Sequence, residues 1–314
     1  MTLPSVNDVG AVDPVLTNLL VGYMQAESRF VASRVFPPIP VEKDSGTYYI
    51  FTKKYWFLDE LQERAPGEKF RRGGYGVESS TYATLLHGLE HPIADEVQAN
   101  SQVPMSLEEA GLRWLATQSL IRKERAFSTD FMAASVWGTT NTTDTDWDDF
   151  ASGDPASSLK TAINAILTNT GLVPNTMVVG QIVDDALTLH PDMLDRIKYT
   201  QAATDAAIRG AVAAALGLQN YWVGNSVYNS ANEGQAMTGA DIIDDDALVC
   251  VVAPSPGLLV PSAGYSFGFT GGGGMGSIVP YRDQSAKSDI LQLSEAWDQK
   301  AVATDLGYIF TDIV

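Results

Sequence analysis

Two hydrophobic periods run through this chain, in no regular alternation. Residues 47–58, TYYIFTKKYWFL, crowd aromatic and β-branched side chains and predict a strand. Residues 75–87, YGVESSTYATLLH, predict a second. Between them, Pro66, Gly67, Gly73 and Gly74 break the stretch DELQERAPGEKFRRGG, so the pair reads as a long hairpin. A two-stranded hairpin is marginal in water. This one carries Tyr48, Tyr49, Tyr55, Trp56 and Phe57, which its own chain or a neighbour must cover.

Residues 106–127 predict a helix, with Ser106 as cap, Glu109 reaching back and a stripe through Leu107, Ala110, Trp114 and Ile121. The pattern can continue to Trp137, which makes it a spine. Asp154 and Pro155 open a second helix through Asn169. TMVVG, 176–180, reads as a buried strand. Helices follow at 182–198, broken at Pro191, and at 204–216. Residues 221–228 and 247–253 read as strands, 271–274 as a glycine loop and 288–314 as two closing strands. In residues 1–40, five prolines leave only Asp13–Phe36 able to be helical, so this segment reads as an arm. Helices and strands mixed this way give the class α+β.

Composition narrows the partners. The 314 residues suffice for two ordinary domains of roughly 100–200 residues. Their 20 Lys+Arg against 38 Asp+Glu give a net charge of −18, the opposite of a protein that grips nucleic acid by its phosphates. Charged residues are 18%, below a usual share of about 25%, which hints at surface buried against other chains. Residues 1–126 hold 13 basic and 16 acidic side chains; residues 127–314 hold 7 and 22. Arg64, Lys69, Arg71 and Arg72 gather in the hairpin, so one part of the chain could attract the acidic part of a neighbouring copy. No apolar run approaches the roughly 20 residues of a membrane helix. The first basic residue is Arg29, so no secretory signal is recognisable.

Catalytic motifs fare poorly. His87-Gly88-Leu89-Glu90-His91 matches H-x-x-E-H, which would make a zinc hydrolase of the chain. That chemistry needs both rings on one helical turn, whereas the preceding alternation is a strand's. Two histidines four residues apart on a strand stand about 13 Å apart, too far to share a zinc, so the motif reads as a strand-end turn. Gly264-Tyr265-Ser266-Phe267-Gly268 spells a nucleophile elbow, yet all three histidines precede it, and a tight aromatic turn is expected instead. Gly271, Gly273 and Gly276 have no helix after them to receive a pyrophosphate. Asp144, Asp146 and Asp148 begin like a calcium loop, but Asp149 stands at the glycine position and Pro155 at the twelfth, which leaves only a looser site. Cys250 reads as a buried small hydrophobe.

What remains is an arm, an uncovered aromatic hairpin, a spine helix and a separate acidic part, the kit of a chain that contacts copies of itself. The segments RVFPPIPV (34–41), RAPGE (64–68), ADEVQAN (94–100), RKERAF (122–127), VWG (136–138), LVPNTMVVG (172–180), HPDMLDRIKYTQ (190–201), PSAGYSFGFTG (261–271) and ATDLGYIFTD (303–312) resemble, in collinear order, the major capsid proteins of tailed bacteriophages with the HK97 fold. The resemblance implies residues 1–43 as N-arm, 44–88 as E-loop, 89–200 with 281–314 as P-domain, and 201–280 as A-domain. It implies hexamers and pentamers in an icosahedral shell around double-stranded DNA, in the virion, without a cofactor. It also implies a portal protein, leaves room for a decoration or cement protein, and, with the arm starting near Met1, suggests a separate scaffolding protein. Lys69 lies near the position of a crosslinking lysine in some relatives, but its partners have no match and it reads as a basic contact. Encapsulins share the fold and enclose cargo enzymes, so a nanocompartment shell is the alternative.

Overall fold

A computed structural model describes residues 25–100, 106–141, 146–197, 204–257, 260–271 and 276–314. Within them the chain builds two five-stranded sheets, each with helices against it, and a hairpin that projects from the first. The class is α+β, as the sequence indicates.

The first sheet is organised by one long strand, Ser288–Ala301. Leu85–Ala94 pairs antiparallel along one edge of it, from Ala94 opposite Ser288 to Leu85 opposite Trp297. Ser277–Asp283 and then Gly264–Phe269 share the other edge. Pro38–Val41 adds a parallel strand beyond Gly264–Phe269. The spine helix, Leu107–Phe131, crosses this sheet and joins Leu115 to Ile93, Leu291 and Leu293.

The second sheet runs Thr139–Asn141, Gly307–Phe310, Ala247–Cys250, Thr176–Gly180, Asn220–Gly224. Its middle strands are buried at every position, so their sequences, TMVVG and ALVC, are continuous rather than alternating. The helix Pro155–Thr170 packs on it through Leu159, Ala162 and Ile166. Its start is fixed by Asp154, whose side chain accepts from Ser157 N at 2.9 Å, and its end by Gly171 in the left-handed region. Helices Gln181–Leu189, Pro191–Ile197 and Asp205–Leu216 complete this part, which encloses the main core.

Several elements depart from the sequence reading. The first hairpin strand is Ser45–Phe51; Lys53–Trp56 coils into one helical turn, because Thr52 N bonds Gly76 O at 3.0 Å and closes the ladder there. The second divides into Val77–Ala83 and Leu85–Ala94, as Thr84 N bonds Asp44 O at 2.7 Å and the chain changes sheets. The spine ends at Phe131, short of Trp137, whose Nε1 folds back to donate to Phe131 O at 2.7 Å. Ser106 accepts from Glu109 N as expected, but the Glu109 carboxylate pairs with Arg113 instead of reaching back. The expected stripe is not the buried one: Gly111, Leu115, Glu124, Ala126, Phe127 and Phe131 face inward, and Trp114 is largely exposed. Residues 221–228 break into Asn220–Gly224 and Val227–Asn229. Gly264–Phe269 is a strand, not a turn, which leaves Ser266 in a ladder rather than on an elbow. Of the arm helix, residues 1–24 lie outside the described residues, and Ala32–Val35 is helical. Residues 272–275 of the glycine run and Asp144 lie outside them too.

Candidate assembly interface

The hairpin has an anchored base. Strands Ser45–Phe51 and Val77–Ala83 pair from Ser45 opposite Ala83 to Phe51 opposite Val77. Tyr82 stacks on Phe267 of the first sheet, centroids 4.5 Å apart, and Tyr48 stacks on the same ring at 5.6 Å. Tyr82 passes over Gly46, where a Cβ would fall 2.6 Å from its hydroxyl oxygen. Ala83 N donates to Asp298 at 2.9 Å. Tyr48 therefore has cover within its own chain, one of the two alternatives for these rings: it alternates onto the same hairpin face as Tyr82, toward the sheet.

The rest of the aromatic set stays outward. Tyr49 is 71% exposed, Trp56 62% and Phe57 63%, with Tyr55 exposed as well. The loop beyond them adds Leu61, Phe70 and Tyr75, all exposed. Ala65-Pro66-Gly67-Glu68 makes a tight turn, with Gly67 at φ 88° and Glu68 N bonded to Ala65 O at 3.2 Å; proline and a left-handed residue in succession suit it. Lys53 in the helical turn pairs with Asp305 of the body at 2.6 Å.

The four cations differ. Arg64 lies over the Phe70 ring at 4.2 Å and donates to Glu68 O at 2.9 Å, so it shapes the loop itself. Arg71 reaches Glu60 at 3.9 Å. Lys69 and Arg72 are exposed. An exposed pair such as Arg71–Glu60 contributes about 0–1 kcal/mol and yields easily to a better acceptor.

Further exposed apolar residues on the first sheet were not legible in the sequence. Leu85 and Leu86, near 70% exposed, begin the strand Leu85–Ala94, and Val279 and Tyr281 are exposed on Ser277–Asp283. Beside them Glu90 accepts from Tyr281 Oη at 3.2 Å and Gln292 Nε2 at 3.1 Å.

The zinc reading fails on geometry. His87, Glu90 and His91 sit within a strand rather than at its end, so Glu90 points away from the two rings. His87 Nδ1 donates to Leu85 O at 2.9 Å, and His91 packs on Trp114. Among the described residues, no group of three or more His, Cys, Asp or Glu side chains could hold a metal ion. No described helix is long and apolar enough to cross a membrane. Cys250 is buried as expected, and burial pushes its thiol up to about 12.

No family model matches the chain. It is 26% identical over 313 residues, 96% of each chain, to the major capsid protein of Burkholderia phage BcepMu. Among solved structures, a phage-related protein from Bordetella bronchiseptica RB50 superposes with TM-score 0.71 at 23% identity, over 93% of this chain and 94% of that one. The mature capsid of bacteriophage PhiM1 gives 0.60 at 12%, over 95% and 91%. An encapsulin of Synechococcus elongatus PCC 7942 gives 0.51 at 10%, over 99% and 95%. The architecture is the HK97-like fold, the fold of the phage capsid structures it resembles.

Proposed function

We propose that this chain is the major capsid subunit of a tailed phage, assembling as hexamers and pentamers into an icosahedral shell around double-stranded DNA. The hairpin carries the reading: its base is pinned to the sheet while Tyr49, Tyr55, Trp56 and Phe57 stay exposed, an arrangement that makes sense against a neighbouring copy. Obligate interfaces of this kind bury about 2,000–5,000 Å². Residues 1–43 serve as N-arm, 44–88 as E-loop, 89–200 with 281–314 as P-domain and 201–280 as A-domain. Lys69, Arg71 and Arg72, with Arg64 holding the loop's shape, meet an acidic surface of the next subunit. With a net charge of −18, the wall confines DNA rather than gripping it. A scaffolding protein, a portal protein and a decoration or cement protein are the further partners, and the virion is the place of action.

Electron microscopy of the chain expressed with and without its neighbouring genes tests this, with closed shells expected when they are present and a monomer that folds its hairpin rings onto its own core as the overturning result. In the variant Arg71→Glu with Arg72→Glu, the subunit should remain folded while shells fail to close. Normal particle yield would remove the basic contact from the account. The phage relative at 26% identity favours a genome over enzyme cargo; long double-stranded DNA in particles from infected cells separates the two.

A further inference from the structure

Glu124 stands on the inward face of the spine helix with no solvent exposure. Its carboxylate engages the backbone of the arm: Val31 N donates to both oxygens at 3.0 Å, and Ala32 N donates to Oε2 at 2.8 Å. These amides open the short helix Ala32–Val35, whose own N-cap, Val31, supplies no side-chain acceptor. A residue 92 positions away does what a capping Ser or Asp would do locally. The seat is also where the arm joins the body. Val31, Ala32, Val35 and Phe36 belong to the main core, and Phe36 meets Phe127 and Phe131 with centroids 5.2 and 4.7 Å away.

The surrounding charges are mostly taken. Beside Glu124 on the helix, Lys123 pairs with Glu295 at 2.5 Å and Arg125 lies over the Tyr228 ring at 4.4 Å. On the long strand, Lys300 pairs with Asp298 at 3.4 Å. The strand Leu85–Ala94, also packed on the helix, carries His87, Glu90 and His91, of which His87 is stacked on Trp297, Glu90 bonded to Tyr281 and His91 packed on Trp114. On the arm, Arg34 exerts a Coulombic pull on the carboxyl without forming an ion pair. A carboxylate that is fully buried and met by amides alone holds its charge at a cost, whereas the neutral acid keeps an acceptor oxygen for the same amides.

We propose that Glu124 is a proton-coupled latch: seating Val31 and Ala32 on the spine helix draws a proton onto this carboxyl, and losing the proton loosens the arm. Burial pushes the group up to about 7, with the backbone hydrogen bonds and Arg34 opposing, from an ordinary value of 4.5. Because the seated value lies above the free one, the seat is strongest below about 4.5 and weakens as pH rises through about 7. The ratio of seated to released arm should fall on the order of a hundredfold between about pH 5 and 8.

Hydrogen exchange by mass spectrometry on the full chain, corrected for the intrinsic pH dependence of exchange, reads this directly. The peptide spanning residues 25–36 should lose protection by that factor between the two pH values, while the strand Ser288–Ala301 of the first sheet, in the other sheet from Asp246, serves as control. Glu124→Gln, uncharged throughout, should give a flat profile. A flat wild-type profile, an equal loss in the control strand, or an unchanged slope in Glu124→Gln would overturn the latch. If the variant does not fold, the wild-type series against its control strand still decides.

Discussion

The imidazole of His87 lies flat against the indole of Trp297, ring centroids 4.5 Å apart and planes within 8°. The contact joins the two strands whose register runs from Leu85 opposite Trp297 to Ala94 opposite Ser288. A ring committed to stacking serves packing rather than metal binding. His87→Ala should lower stability by about 0.5–1.5 kcal/mol beyond the lost area, and His87→Phe should recover most of it. A chelator should leave the thermal midpoint of the wild type in place; a chelator-sensitive midpoint would point to a bound metal.

Asp184 is a second buried anchor. Its carboxylate accepts from Arg209 Nε at 2.9 and 3.0 Å, from Nη2 at 2.5 Å and from Tyr221 Oη at 2.9 Å, tying two helices to the edge strand Asn220–Gly224. Burial, with the Asp184 charge next, pushes the Tyr221 hydroxyl well above its ordinary value, so it stays a donor. Asp184→Ala should cost about 3 kcal/mol, the low end for breaking a buried pair because Arg209 is partly solvated. Urea unfolding measures it, and Arg209→Ala should cost at least as much, because it leaves the buried Asp184 carboxylate without its cation.

Acid should strengthen the second sheet. Burial pushes Asp246 up to about 7, helped by Asp245, Asp244 and Asp312, and it raises Asp245 as well. Both folded values lie above the unfolded ones. Stability is therefore fully present below the ordinary carboxylate range and is lost as pH rises through about 7. Asp246→Asn should raise the thermal midpoint at pH 8 and flatten its decline between about pH 6 and 8.5, with the latch at Glu124 untouched. A wild-type midpoint that climbs over that range would contradict the sign.

Gly180 ends the strand Thr176–Gly180 under the carbonyl of Asp244, where a Cβ would stand 1.7 Å from the oxygen. Backbone cannot yield as a side-chain tip does. Gly180→Ala should therefore cost about 3 kcal/mol, the upper end of ordinary overpacking. Gly210→Ala, in a helix with nothing within 4 Å of the added methyl, should be neutral or stabilising. Comparing the two midpoints in urea tests both.

What was legible in the sequence was what neighbours along the chain decide. Ser106 and Asp154 cap because their hydroxyl and carboxylate reach amides three residues on, and TMVVG reads as a buried strand because it is apolar without a break. The inward face of the spine was misread because Gly111 and Glu124, a small residue and an acid, mark it, while Trp114 faces out. Glu124 had no signal: within RKERAF it looks like a solvated charge, and only the arm arriving from 92 residues away makes it a buried one. The hairpin rings were found, but which of them the chain itself covers stayed open, since the side of a hairpin that meets the body depends on Phe267, 219 residues further on. Collinear short segments carried the fold itself.

The pairing of Leu85–Ala94 with Ser288–Ala301 also sets a clock. Among the described residues, that earlier strand has no other ladder. A ribosome that has just made Ala94 must add roughly 200 more residues before the partner emerges, on the order of 10–40 s at ordinary synthesis rates. Until then the base of the hairpin has neither Phe267 nor Asp298 to rest on. The seat of the hairpin on its own sheet therefore comes into being only when the polypeptide is almost fully made.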